Sequence, residues 1–142
     1  MNLCNIRYVD MGFPSGTLWG DRNMGADIIE AYGKHFNREN VTPEQLSKFT
    51  HRTPTKEQVQ ELIDNTTVMW TKHWKTNGVA LISKINANMI FFPTTDSCGM
   101  YMSDESLTDN SPKFLGFKEK QDEVNFDDTC TKFFVRCVAR IQ

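Results

Sequence analysis

No stretch of this chain approaches the roughly 18 consecutive apolar residues needed to span a bilayer, so membrane insertion is not expected. Its four cysteines, Cys4, Cys98, Cys130 and Cys137, fall in no Cys-x-x-Cys spacing, which argues against a structural zinc site. The three histidines, His35, His51 and His73, form no His-Glu-x-x-His arrangement and no i, i+4 pair, and they read as ordinary side chains rather than ligands or general bases. Charge of one sign is also missing. Sixteen Lys and Arg against 18 Asp and Glu, interspersed, leave a net charge of −2 and no clustered basic surface for a nucleic acid. The N-terminus lacks the basic-then-apolar pattern of a secretory signal, so the sequence predicts synthesis and retention in the cytoplasm and four reduced, buried thiols.

What is present is the composition of one globular domain over residues 1–142. The chain is 39% hydrophobic, 24% charged and 11% aromatic, and a chain of 142 residues buries enough surface to fold without metals or disulfides. Tyr8 to Ala26 combines apolar runs with Gly12, Pro14 and Gly16, which predicts strands at Ile6 to Asp10 and Thr17 to Asn23 joined by a tight connection. Asp27 and Glu30, related as N-cap and N3, with Ile28, Ile29 and Tyr32 on one face and Gly33 at the end, predict a short helix. A second short helix is expected from Thr42-Pro43-Glu44-Gln45. The main helix follows Thr55, where Gln58 completes a capping box and Val59, Leu62 and Ile63 form an amphipathic stripe.

Strands are then expected at Val68 to His73, Val79 to Ile85, Met89 to Phe92, Tyr101 to Ser103, Lys113 to Lys118 and Lys132 to Ile141, with a turn at Asn86-Ala87-Asn88. Trp19 and Trp70 are assigned to the core, while Trp74 is left open. Three irregular stretches, Thr94 to Met100, Asp104 to Pro112 and Gln121 to Cys130, are rich in Ser, Thr, Asp, Asn and Gly and alternate with the last strands. Loops held on a rigid frame are where binding normally resides.

The opening block Tyr8 to Ala26, the helix block Arg52 to Asn65 with Trp70-Thr71, the segment Ile90-Phe91-Phe92-Pro93 and the closing Phe134-Val135-Arg136 together resemble the Fibrobacter succinogenes major paralogous domain family. The blocks run in the family's order along nearly the whole chain. The chain departs from the family pattern at His51 and Thr53 around the helix signature, at Thr94-Thr95-Asp96-Ser97, and at Met102 where a Trp is usual. The resemblance implies an α+β, C-type lectin-like fold: two main short helices packed on twisted, mostly antiparallel sheets, with the chain termini in adjacent strands.

For function, the resemblance implies a non-catalytic binding or structural module. With no export signal seen, the expected place is the exterior of a phage virion, as a head or tail fibre component or capsid decoration protein. An exported cell-surface adhesin or pilus-tip domain is the alternative if a leader has been trimmed. Expected partners are other virion proteins, or a glycan or protein of the host surface, with many copies in a homo-oligomer or array. The contact residues expected are Tyr101, Asp104, Lys113, Asp127 and Asp128. A copper-dependent oxidase of the formylglycine-generating type is weighed on Cys130 and Cys137, but if both lay on one extended strand their odd separation of seven would send them to opposite faces, unless a bend at Asp127-Asp128-Thr129 turned the chain. Asp104, Glu105, Asp109, Asp127 and Asp128 offer hard oxygens without a calcium-loop spacing, so no metal and no cofactor are expected.

Overall fold

The computed structural model describes residues 6–33, 35–37, 42, 44, 53–73, 76–94, 98–102, 114–118, 125–127 and 132–140. Among them the architecture is α+β, one fully described helix with three sheets whose strand pairs are antiparallel except for one.

The opening hairpin forms where the sequence places it. Strand β1 (Tyr8–Asp10) pairs antiparallel with β2 (Thr17–Gly20), and Gly12 and Gly16 take φ of 75° and 77° in the connection. Those angles are open to glycine at no steric cost. The connection is held by α1 (Lys56–Asp64): the Glu61 carboxylate accepts from both the hydroxyl (2.6 Å) and the amide (3.2 Å) of Ser15. Helix α1 itself starts on the expected capping box, with Gln58 N donating to Thr55 Oγ1 and the Gln58 side chain accepting from Thr55 N. Its Val59 and Leu62 are fully buried.

The chain then runs up and down through a three-stranded meander, β4 (Thr66–His73), β5 (Thr76–Ser83) and β6 (Met89–Pro93). Ser83 closes the second turn by donating its hydroxyl to Met11 O at 2.6 Å, tying the meander to the hairpin. The left-handed position in that turn belongs to Ala87, φ 67°, and not to either flanking Asn. Val79, Leu81, Ile90 and Phe92 point from the meander into a core shared with Met11, Phe13, Trp19, Val59, Leu62, Tyr101 and Phe134. Trp19 is wholly buried and Trp70 packs against the same cluster, as the sequence reading expects.

The third sheet has the order β3-β10-β7-β8-β9, with β3 (His35–Asn37), β7 (Cys98–Met102), β8 (Phe114–Lys118), β9 (Asn125–Asp127) and β10 (Lys132–Phe134). From β10 the chain crosses to β11 (Val138–Arg140), which pairs with β2, so the opening hairpin and the closing strand share one sheet, but β2 lies between the first and last strands and they are not neighbours as expected.

Two further expectations need correction. Lys132 to Ile141 is not one strand, because Val135 to Cys137 leave the ladder to change sheets. The argument from two cysteines on one extended strand therefore does not apply. Cys137 is wholly buried in this link, and Cys130 lies outside the described residues. Likewise Asp27 to Gly33 form no helix, only a turn closed by Ala31 N donating to Ile28 O at 3.2 Å. Glu44 is helical, and the rest of the expected helix after Thr42 lies outside the described residues apart from Thr42 itself.

Candidate functional site

The link between β10 and β11 places Arg136 at the centre of the molecule, 1% exposed. Backbone bonds on either side fix it: Met24 N donates to Val135 O and Gly20 N to Cys137 O, both at 2.9 Å. The guanidinium then reaches the hairpin sheet, the meander and the loop after β2. It donates to Gly20 O at 3.0 Å, to Phe91 O at 2.6 Å, and twice to Asn23 Oδ1 at 3.1 and 2.8 Å. Its Cζ lies 4.0 Å over the ring of Phe92. Among the described residues no carboxylate reaches it within salt-bridge distance. A buried cation is tolerated where carbonyl dipoles and an aromatic face replace its water. Burial lowers the Arg136 pKa to about 10, against the favourable field of Tyr101 and Asp21, which leaves it charged at neutral pH.

Asn23 extends this hub towards the surface. While its Oδ1 serves Arg136, its Nδ2 donates to the Tyr101 hydroxyl at 3.1 Å and to Tyr32 O at 3.0 Å. The Tyr101 hydroxyl donates in turn to Pro93 O at 2.8 Å, and burial pushes it above the ordinary tyrosine range. Phe91 and Pro93 sit two apart on β6, so Arg136 and Tyr101 take successive carbonyls along that strand. Side chains thus occupy carbonyls that a neighbouring strand would otherwise use, and Pro93 offers no amide there.

Outside the hub, residues 21–33 form a compact loop whose ends meet. Arg22 donates to Asp27 O at 2.6 Å and makes a two-pronged contact with Asp21, both nitrogens at 3.0 Å. Gly33, φ 68°, lies so close to the Met24 and Ala26 backbone that a Cβ there would collide with Met24 O. Met24 and Ala26 are buried anchors, whereas Ile28 is 52% and Tyr32 37% exposed. Tyr32 is held on both counts that matter for a contact residue: its ring stacks on Phe134 at 5.8 Å, and its hydroxyl donates to Thr94 O at 3.0 Å. A side chain fixed before contact loses little freedom on contact.

The electrostatics around this loop are local. Burial raises the Asp21 pKa, but the hydrogen bonds from Arg22 and from Arg7 N, with the charges of Arg22 and Arg136, outweigh it and hold the carboxyl below its ordinary value. The Asp21 contact raises Arg22 against its own desolvation, with Asp27 and Glu30 adding to the effect.

Of the contact residues expected from sequence, Tyr101 is corrected: it is 1% exposed, its ring edge-on to Phe92 at 4.9 Å, and it supports the surface from beneath. Asp127 pairs with Phe114 in the β8–β9 ladder. Asp104, Lys113 and Asp128 lie outside the described residues. Sequence reasoning missed Asn23, Tyr32 and Arg136. The available signal was Arg136 itself, a lone cation inside the apolar run Phe133 to Ala139, since an unpaired charge is rarely buried without a purpose-built set of partners.

No family model matches this chain, and no curated protein and no solved structure matches it either. Among the described residues no group of three or more His, Cys, Asp and Glu could hold a metal ion, and no helix is long and apolar enough to cross a membrane.

Proposed function

We propose that this chain is a non-catalytic binding or structural module of C-type lectin-like architecture, belonging to the paralogous-domain family that its sequence blocks resemble. The observation that carries the binding reading is Tyr32, an exposed ring pinned at both ends on a loop that is itself tied to the buried Arg136 hub. The closing strand beside the opening hairpin supports the lectin-like frame. The contact surface is the rim formed by residues 21–33, whose Tyr32 is anchored on the carbonyl of the buried Thr94, where the first irregular stretch begins. Placement on the exterior of a phage virion, as a fibre component or decoration protein facing host ligands or neighbouring subunits, rests on the sequence resemblance.

The test compares the wild-type protein with Ile28→Ser and with Ile28→Asp for attachment to host cells and incorporation into particles. Ile28 is exposed, so both variants keep the wild-type thermal melt. Attachment or incorporation then falls by about tenfold, the equivalent of about 1.4 kcal/mol lost from a contact residue. Unchanged attachment together with unchanged incorporation rejects this surface.

A further inference from the structure

One rim of the molecule carries an exposed cation, Lys72, at one end and an acidic loop at the other. The loop 21–33 holds three carboxylates, Asp21, Asp27 and Glu30; Asp21 is taken up by the loop's one cation, Arg22, so the acidic face beside the exposed Ile28 and Tyr32 is carried by Asp27 and Glu30. Across the end of the meander, Lys72 pairs in register with Asn77, and Thr94 N donates to Asn77 O at 3.0 Å, so Lys72, Asn77 and Thr94 form a row. Two strand spacings put Lys72 roughly 10 Å from Thr94. Tyr32 continues the row through its bond to Thr94 O. Lys72 is exposed at the opposite end.

A surface with a cation at one end and an acidic, aromatic patch at the other is self-complementary under a two-fold rotation about its middle. We propose that this rim is the interface between two copies of the chain, with Lys72 of each copy seated against Tyr32 and the exposed Asp27 of the other. The outer face of a tyrosine ring attracts an ammonium group, and the adjacent carboxylates add to that attraction. Ile28 supplies apolar area between the two charged contacts. The axis passes close to the exposed Asn77, with Thr94 buried beneath the rim. Such an interface is small and salt-dependent, because its charges sit at exposed positions. The inference rests on reading the rim as a contact surface, and it names the first occupant as a second copy.

The test is sedimentation velocity over a concentration series at low and high salt, on the wild type, Lys72→Glu, Asp27→Lys and the double variant. Thermal melts show that each chain is folded. The wild type reaches dimer mass at low salt and loses it at high salt. Each single variant weakens the dimer by about tenfold or more, because every change is counted twice across the axis. The double variant, with the charges exchanged, recovers dimerisation. A wild type that stays monomeric, a dimer indifferent to both single changes, or a double variant no better than the singles overturns the proposal. A monomeric wild type whose host attachment still depends on Ile28 overturns the dimer alone and leaves the binding reading standing.

Discussion

Arg136 donates twice to one oxygen of Asn23, and the amide nitrogen of that same side chain carries the connection on to Tyr101 and Tyr32. One asparagine therefore couples a buried cation to the backbone that carries an exposed aromatic ring. Both ends of the amide are used, one as acceptor and the other as donor, and no other residue type of this size carries the two on separate atoms.

Replacing Arg136 isolates the value of the hub. Arg136→Met leaves Gly20 O, Phe91 O and Asn23 Oδ1 without the donors they have, and buried acceptors stripped of their partners are costly. The expected loss is about 3–5 kcal/mol. Arg136→Lys retains the charge but not the planar fork, and recovers only part of that loss. Chemical denaturation of the three proteins checks the order, wild type above Lys above Met.

Asn23→Asp separates charge from hydrogen bonding. The carboxylate still accepts from Arg136, but it cannot donate to Tyr101 or Tyr32 and faces the Tyr32 carbonyl with a like partial charge. The added ion pair offsets part of the lost stability, while the 21–33 loop comes loose. A modest fall in global stability is therefore expected, about 1–2 kcal/mol, with a larger local effect on Tyr32 seen as narrowed ring resonances and faster exchange at Ala31.

Much of this frame is legible in the residues. The capping box at Thr55 and Gln58, the glycine-bearing hairpin and the meander all follow local rules, because each is decided by neighbours in sequence. The loop at 27–33 is misread for a physical reason. Its acidic and apolar residues have helical spacing, yet Arg22 takes Asp27 O and Asn23 takes Tyr32 O, and the glycines at 25 and 33 adopt positive φ. Side-chain donors from upstream replace the helix's own amides, and no local pattern announces that. Tyr101 is misplaced on the surface because its burial is set by partners far away in sequence, at Asn23 and Arg136.

Ala87 stores backbone strain at the second meander turn. A left-handed alanine costs about 1–2 kcal/mol that glycine avoids, set against glycine's larger loss of freedom on folding. Ala87→Gly is expected to stabilise the protein by about 0.5–1 kcal/mol. A thermal melt checks the sign, and a lowered midpoint contradicts the strain.

Asp21 gives the fold a pH dependence of known direction. Its folded pKa is lowered, so its contribution is present above the unfolded value of about 3.9 and is lost as pH falls through the lower, folded value. Asp21→Asn should therefore cost about 1 kcal/mol at neutral pH. The gap between variant and wild type should close on acidification below pH of about 4. Urea denaturation of both proteins across that range measures it.

Hydrogen exchange at Met24 and Ala26 in the wild type tests the central claim most directly, because their amides are bonded to Val135 O and Asn23 O within the loop that presents Tyr32. The account predicts protection close to that of the β2 amides, and its loss in Asn23→Ala while the α1 amides remain protected. Exchange at the rate of free peptide in the wild-type protein would contradict a preformed rim.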